Sequence, residues 1–404
     1  MASVNTPAQP MPAVPPPPAS TPSDDIVVQV FGRTDVGRTR DHNEDAFLVA
    51  DLSADVAAVP TEVRRTISGQ KGSLFVVADG MGGAAAGEIA SAMAVEAILG
   101  ELRTTWIAGD TNDPESFVRA IKVATKAANE KIHSYATAHP EYRGMGTTAT
   151  IAGLLGDTLY LAQVGDSRAY IVRDGVAQQI TKDQSLMQKL IEAGELTEEE
   201  AKLSERRNII LQALGPEPYV KVDLTHQVVR RGDTLVLCSD GLSGQVTKDE
   251  IAMVVTDEPD VATACKLLVE RANFAGGPDN ITVIIARFDG PGLRPASDAD
   301  EIGHHEFPLP SDGTPTDAIT VEMMPPSVLV RPGARPIHLG ESTVPMAAEE
   351  PPKTPPRAQT PVATPPVSPE RQSTGKLLQL SLLSLLVVSL VYFVFRFIAG
   401  LGKH

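Results

Sequence analysis

Four aspartates, each beside a stretch typical of a buried strand, are the residues of this sequence best placed to do chemistry. Asp79 and Asp240 each end an apolar run and precede a glycine, in LFVVADG and LVLCSDG. Asp166 stands between two predicted strands, and Asp279 comes immediately before the last one. Strand ends on one rim of a sheet can bring such carboxylates to a common point. There they would repel one another and shift their pKa values unless cations neutralised them.

The chemistry that this set predicts is the binding of hard metal ions. An all-oxygen set without an obvious cluster of His or Cys ligands suits Mg²⁺ or Mn²⁺ rather than zinc. Two such ions, about 3.5–4 Å apart, can polarise a phosphoryl group and generate hydroxide from bound water near neutral pH. A nearby arginine would hold the phosphate through its fork of donors, and Arg40 is the candidate. Taken singly, these residues are not diagnostic, because an Asp between strands is usually a turn former.

The elements that must position these residues can be read from the hydrophobic pattern. Residues 74–88 are predicted to form a strand, a loop and a helix, and the uninterrupted apolar run indicates a strand buried on both faces. A long helix is predicted after Asp113-Pro114, which supplies an N-cap and a proline at the first helical position. From Gly146 the period becomes that of strands. The charged segment 181–215 is either a helical excursion over the surface or a flap beside a site.

Proline content divides the chain into a globular middle and two tails. Of the 33 prolines, 8 lie in residues 1–25, 7 in 26–290 and 18 in 291–372. The middle segment is long enough to bury a large single core. We therefore predict a disordered proline-rich arm over 1–25, a catalytic domain over 26–290 and a disordered proline-rich linker over 291–374.

Charge and cysteine content exclude some classes of function. The middle segment carries 26 Lys and Arg against 38 Asp and Glu, so it lacks the basic footprint that nucleic acid requires. The only cysteines, Cys238 and Cys265, fall in a predicted buried strand and a predicted amphipathic helix. Two core thiols without CxxC spacing indicate a reducing compartment and no structural zinc.

The C-terminal part of the sequence is predicted to cross a membrane. Leu377 to Phe395 comprises 19 residues without a formal charge, which is long enough to span a hydrocarbon core. A buried or interfacial amphipathic helix is the alternative, which one glutamine and three serines in the stretch favour. The N-terminus lacks the basic residues and apolar stretch of a secretory signal. We therefore expect a single transmembrane helix over 377–398, with the catalytic domain on the cytoplasmic side of the cell inner membrane.

Six short motifs, in order, resemble those of the metal-dependent protein phosphatases of type 2C, and specifically the bacterial branch. The motifs are RDHNED at 40–45, VADGMGG at 77–83, GTT at 146–148, GDSR at 165–168, SDGL at 239–242 and GPDNIT at 277–282. The resemblance covers about residues 26–290. It implies an α+β fold, an α-β-β-α sandwich of two antiparallel sheets flanked by helices.

The resemblance also implies a role for each site residue. Asp79 would bridge two Mn²⁺ or Mg²⁺ ions, the Gly80 carbonyl would ligate one ion, and Asp240 and Asp279 would complete the other. Three further carboxylates have lesser roles: Glu44 and Asp45 would hold metal-bound waters, and Asp166 with Asp240 could bind a third, weaker ion. Arg40 would bind the substrate phosphate.

The activity that the resemblance implies is direct attack of metal-activated water on phosphoserine or phosphothreonine in proteins, without a phosphoenzyme. Relatives of the animal type carry a His after the Asp-Gly pair, proposed as general acid. Here Met81 takes that place and cannot donate a proton, so we assign no acid residue. The expected partners are phosphoproteins, including a Ser/Thr kinase and its substrates.

Two other interpretations of the sequence predict different functions. The GMGGAAAG run is typical of dinucleotide-binding loops, but Asp79 just before its first glycine would put a carboxylate close to a pyrophosphate. The second alternative is a catalytically silent, membrane-tethered sensor or scaffold with a phosphatase-like fold. Inactive relatives usually lack a metal-binding acid or the arginine, and all of these residues are present here.

Overall fold

The computed structural model describes residues 25–58, 62–83, 86–309 and 329–330. Its strands, in chain order, are β1 (Val27–Asp35), β2 (Asp45–Asp51), β3 (Val56–Ala58), β4 (Arg64–Ile67), β5 (Ser73–Met81), β6 (Gly146–Thr147), β7 (Ala149–Leu155), β8 (Thr158–Val164), β9 (Arg168–Arg173), β10 (Val176–Gln179), β11 (Ile209–Ile210), β12 (Asp223–Val228), β13 (Thr234–Cys238), β14 (Ile281–Asp289), β15 (His305–Glu306) and β16 (Leu329–Val330). The α-helices are α1 (Ala86–Leu102), α2 (Pro114–Ala138), α3 (Leu186–Glu192), α4 (Glu198–Leu203), α5 (Asp240–Ser243), α6 (Lys248–Asp257) and α7 (Val261–Phe274).

Two antiparallel sheets make up most of the described structure. The first has six strands in the order β10-β9-β13-β14-β1-β4. The second has the order β15-β12-β8-β7-β5-β2-β3, and the short strand β6 continues the pairing at the end of β5. A separate two-stranded pair joins β11 to β16.

Three hydrophobic clusters hold these layers together. The cluster between the sheets includes Phe75 and Leu161 from the second sheet and Leu237 and Phe288 from the first. A second cluster packs α1 and α2 on the outer face of the second sheet, and a third packs α6 and α7 on the outer face of the first. The order helix, sheet, sheet, helix confirms the predicted sandwich of two antiparallel sheets flanked by helices.

Strand β5 lies in the middle of the second sheet, between β2 and β7, and every residue in it is buried. This confirms the prediction made from its uninterrupted apolar run. The strand runs on through Met81, so Asp79 lies inside the strand rather than at its end. Helix α2 begins as predicted, because the Asp113 side chain accepts a hydrogen bond from the Ser116 N–H and Pro114 is the first helical residue.

Residues 291–309, which the sequence pattern assigned to the linker, lie against the domain. Asp300 is 7 % exposed and pairs with Arg230 at 2.7 Å. The Arg173 guanidinium donates to the Asp300 carbonyl at 2.7 Å and pairs with Asp233 at 2.7 Å. Further along, β15 adds to the edge of β12. The folded domain therefore extends about 20 residues beyond the predicted boundary; we call residues 291–309 the strap.

Several predicted segments lie outside the described residues: the arm up to residue 24, the linker from 310 apart from β16, and the membrane span over 377–398. Among the described residues, no helix is long and apolar enough to cross a membrane.

Candidate metal and phosphate site

The centre of the candidate site is formed by two neighbouring strands of the second sheet. Asp45 at the start of β2 lies directly opposite Asp79 in β5. The backbone of Asp79 is fixed by Thr148, whose Oγ1 accepts the Asp79 N–H at 3.0 Å and whose N–H donates to the Asp79 carbonyl at 2.9 Å. Thr148 Oγ1 also lies 2.8 Å from Ser167 Oγ, next to the buried Asp166. The VADG, GTT and GDSR motifs therefore meet through one threonine.

The Asp45 carboxyl group is held by hydroxyl groups from the opposite sheet. Its Oδ2 accepts hydrogen bonds from Thr282 at 2.7 Å and from Ser239 at 2.8 Å. Its Oδ1 is buried without a hydrogen-bond partner among the described residues. Burial raises the pKa of Asp45 to about 7; the two hydroxyls oppose that rise, and the charges of Asp240 and Asp279 add to it.

These observations fit the binding of a cation beside the Asp45 carboxyl. A buried carboxyl with one uncommitted oxygen, facing two further carboxylates, is stabilised when positive charge is placed beside it. The donor atoms are all oxygens, which suits Mg²⁺ or Mn²⁺. No group of three or more His, Cys, Asp or Glu side chains in the described part of the chain has the close arrangement needed to hold a metal ion as it stands. The side chains thus share one neighbourhood without forming a closed ligand cage.

Arg40 and Asp279 form an ion pair within the site. Arg40 Nη2 lies 2.9 Å from Asp279 Oδ2, and both side chains are about one-fifth exposed, at 22 % and 20 %. The residue next in sequence, Asn280, fixes this arrangement: its Oδ1 accepts the Glu44 N–H at 2.8 Å, and its Nδ2 donates to the carbonyls of Val36 and His42. One amide side chain therefore fastens the 36–44 loop, with Arg40, to the start of β14.

Glu44 is buried against the beginning of helix α1. Its carbonyl accepts the Gly80 N–H at 3.0 Å. A Cβ at Gly87 would fall 2.8 Å from Glu44 Cδ and 2.9 Å from the backbone carbonyl carbon of Gly80. Glycine at position 87 is therefore what allows the helix, the Glu44 side chain and the Asp79-Gly80 backbone to lie so close together.

The structure brings together most of the residues predicted from sequence. Asp45 faces Asp79 across the strand pair, and the charges of Asp240 and Asp279 act on it. Asp279 in turn contacts Arg40. Asp240 is the first residue of the short helix α5, so it follows β13 as predicted. Asp166 is buried on the Thr148 and Ser167 side. Its pairing with Asp240 at a third ion stays a prediction.

Five further residues hold the acids in place and were not predicted from the sequence, namely Thr148, Ser239, Asn280, Thr282 and Gly87. Four of them lie inside the motifs already quoted, as the last residue of GTT, the first of SDGL and two residues of GPDNIT. Their residue types were a partial signal, since buried hydroxyl and amide groups are usually hydrogen-bonded, but the sequence does not specify their partners. Gly87 carried no comparable signal.

Segment 181–215 lies beside the site, which supports its interpretation as a flap. Met81, at the end of β5, packs against Ile210 and Ala213 of this segment. At its beginning, the Gln184 N–H donates to the Gly165 carbonyl at 2.9 Å, and Gln184 Oε1 accepts the Gly165 N–H at 2.9 Å. Met81, which stands where some relatives carry a histidine proposed as general acid, thus packs against the flap.

Comparisons with known proteins agree with this geometry. The family model described as protein phosphatase 2C matches residues 64–273. The serine/threonine phosphatase stp of Listeria monocytogenes is 35 % identical over 257 residues, 64 % of this chain and 94 % of that protein. The serine/threonine protein phosphatase PstP of Mycobacterium tuberculosis is 37 % identical over 263 residues, 65 % of this chain and 45 % of that protein.

Solved structures lead to the same family. The catalytic domain of the serine/threonine protein phosphatase PstP in complex with two manganese ions has a TM-score of 0.53 and 35 % identity, covering 65 % of this chain and 99 % of that one. The serine/threonine phosphatase of S. agalactiae has a TM-score of 0.57 and 35 % identity, covering 64 % and 99 %. With the family model spanning more than half of its residues, this chain belongs to the protein phosphatase 2C family.

Proposed function

We propose that in this chain, a metal-dependent protein serine/threonine phosphatase, the neighbourhood of Asp45 and Asp79 is the catalytic centre for hydrolysis of phosphoserine and phosphothreonine. The observation that carries the assignment is the buried Asp45 carboxyl, opposite Asp79 and within range of the Asp240 and Asp279 charges. Such a concentration of negative charge requires positive charge, and a related catalytic domain holds two manganese ions.

Four groups would hold two Mn²⁺ or Mg²⁺ ions. Asp79 would bind both ions, the Gly80 carbonyl would bind one of them, and Asp240 and Asp279 would bind the other. When bound, the ions would polarise the phosphate and lower the pKa of a water molecule. Asp45 and Glu44 would orient that water as hydrogen-bond acceptors. Ser239 and Thr282 fix Asp45 for this task, because they donate to one carboxylate oxygen and leave the other available.

Arg40 would bind the substrate phosphate. Its guanidinium is partly exposed and pairs with Asp279 through Nη2, and its planar fork of N–H donors matches the oxygens of a phosphate. A phosphate arriving beside Asp279 would meet donors already held in place by the Asn280 contacts to the 36–44 loop. Met81 packs beneath the flap and has no proton to give, so the leaving serine or threonine oxygen would take its proton from water.

Turnover of a phosphothreonine peptide by the full-length protein, with and without Mn²⁺, tests this assignment. Asp240→Ala should reduce kcat by at least about 10²-fold and weaken Mn²⁺ binding measured by calorimetry, because a ligand of one ion is lost. Asp249→Ala, an exposed acid in α6, is the matched control and should change neither value. If metal-replete wild-type protein is inert while the Asp79→Ala variant still binds the same partners, the chain is a scaffold rather than an enzyme.

The arrangement along the chain is also part of the proposal. A proline-rich arm over 1–25 precedes the catalytic domain, a proline-rich linker follows it, and a transmembrane helix over 377–398 tethers it to the cell inner membrane with the catalytic domain in the cytoplasm. The charge-free stretch from Leu377 to Phe395 supports the tether. Phosphoproteins, including a Ser/Thr kinase and its substrates, are the proposed partners. Recovery of full-length protein in the soluble fraction after cell disruption would contradict the tether.

A further inference from the structure

The flap has a strand edge that lies beside the candidate catalytic site. Strand β11 is bonded on its inner edge, where the Leu211 N–H donates to the Gln184 carbonyl at 2.7 Å and Ile210 forms a bridge with Ser185. The Ile209 N–H is used locally, by the Arg206 carbonyl at 3.1 Å. Because successive backbone groups of a strand point to opposite edges, the N–H and carbonyl of Ile210 face outward.

The outer edge of β11 is paired with the chain's own linker. Ile209 lies opposite Val330 and Ile210 opposite Leu329, in antiparallel register. We propose that this outer edge is a peptide-docking edge, occupied by Leu329 and Val330 of the same chain, and that phosphoprotein substrates must compete with this segment. The proposal rests on the phosphatase activity and adds to it a means of controlling access to the site.

The sequence of the linker favours this occupant. Val328, Leu329 and Val330 form the only run of three consecutive Val, Ile or Leu residues between 310 and 374. These residue types favour extended, paired backbone. Prolines at 326 and 332 bound the segment, so a short strand can form without being continued on either side.

The chain between the strap and β16 is long enough for docking within one molecule. The strap ends at residue 309, and 19 residues separate it from β16. Nineteen residues can span up to about 63–68 Å when fully extended, and linkage at this length gives an effective concentration on the order of millimolar. A weak pairing of two residues can therefore be populated in the intact chain, whereas the same peptide added separately would need comparable concentrations.

Docking at this edge can influence catalysis because β11 is linked to the site by direct contacts. Ile210 packs on Met81, two residues from Asp79. Four residues after Ile210, Leu214 exchanges backbone hydrogen bonds of 2.8 and 3.0 Å with Thr147, which lies opposite Gly80. An extended peptide on the outer edge of β11 would therefore lie on a strand that packs against the end of β5, next to Asp79 and Gly80, and it would compete with a protein substrate for that space.

Amide hydrogen exchange on the full-length protein tests the docking. Leu329→Pro/Val330→Pro removes both N–H groups of the docked strand, so protection of the Ile210 amide should fall about tenfold or more, equivalent to about 1.4 kcal/mol. The Leu211 amide is an internal control, because its partner is Gln184, and should change less than about twofold. Val362→Pro/Ala363→Pro, elsewhere in the linker, is the matched variant. Unchanged protection at Ile210 would overturn the proposal.

Steady-state turnover tests whether the docked segment competes with phosphoprotein substrates. In Leu329→Pro/Val330→Pro, KM for a phosphoprotein should fall about threefold or more, while kcat/KM for p-nitrophenyl phosphate, which is too small to need the edge, should stay within about twofold. A peptide of residues 325–336 at millimolar concentration should restore the wild-type KM. Equal KM values for wild type and variant would overturn the competition, and the exchange experiment remains decisive for docking even if no turnover is detected.

Discussion

At the scale of single residues, close packing of backbone and acids is what distinguishes this site. Glu44, Gly80 and Gly87 come within contact distance where the 36–44 loop, β5 and α1 meet. A glycine inside a helix is normally a cost of about 0.5–1 kcal/mol relative to alanine. At position 87 that cost is offset by the room it leaves for Glu44 and the Gly80 backbone.

Two Gly→Ala substitutions in the same helix should therefore have opposite effects. Gly87→Ala places a methyl group 2.9 Å from the Gly80 backbone and should lower the free energy of unfolding by about 1 kcal/mol or more and kcat by about tenfold or more. Gly100→Ala meets no atom within 4 Å and should raise the free energy of unfolding by about 0.5–1 kcal/mol with unchanged activity. Denaturant titration and phosphopeptide turnover measure both. An active, stabilised Gly87→Ala protein would contradict the packing account.

At the scale of elements, the sheets explain which parts of the site could be predicted. The two Asp-Gly motifs follow strongly apolar runs, and such runs become central strands almost regardless of context, so Asp79 and Asp240 could be found from local pattern. The donors Ser239 and Thr282 could not be assigned. Their role depends on the pairing of β13 with β14 and on the distance between the sheets, which a single sequence does not specify.

Burial between the first sheet and its helices makes the two cysteine thiols unreactive. Cys238 on β13 and Cys265 on α7 are free and fully buried, as the sequence predicted. Burial raises the pKa of Cys238 to about 12 and raises that of Cys265 as well, so the reactive thiolate is scarce near neutral pH.

Neither cysteine should react with iodoacetamide at pH 8 in the folded protein, and both should react in denaturant. Intact-mass spectrometry counts the adducts. Ser134→Cys, at an exposed position of α2, is the positive control and should add one adduct in the native protein. Rapid labelling of native wild type would mean that α7 opens from the sheet far more often than its packing indicates.

At the scale of the whole molecule, the strap shows why the domain boundary could not be found from composition. Residues 291–309 contain three prolines and few large apolar residues, which is typical of a linker. Their attachment depends on a few specific groups. Leu293 is 1 % exposed in the cluster between the sheets, and Asp300 accepts from Arg230 and Arg294. Arg230 and the core that surrounds Leu293 lie far away in sequence, so composition does not reveal this attachment.

Removing the strap should destabilise the domain. A protein of residues 25–290 should unfold at lower denaturant concentration than one of residues 25–309, because the loss of Leu293 alone costs about 1.5–3 kcal/mol and leaves Arg230 without Asp300. Both proteins begin at the same residue, so the strap is the only difference between them. Equal midpoints at pH 7 would contradict a structural role for residues 291–309.

The advantage of the longer protein should depend on pH in a defined direction. Hydrogen bonds from Arg230, Arg294 and Ser297 hold the folded-state pKa of Asp300 well below its ordinary value of 3.8. A carboxyl with a depressed pKa contributes stability that is fully present above the unfolded-state pKa and is lost as the pH falls toward the folded-state pKa. Burial also lowers the pKa of His304, which lies in the strap, so part of the difference in unfolding free energy between the two proteins should be lost as the pH falls below 6.5. The part due to Asp300 should be lost separately, below about pH 4. In Asp300→Asn of the longer protein, which lacks the titrating group, the part of the decline due to Asp300 should disappear.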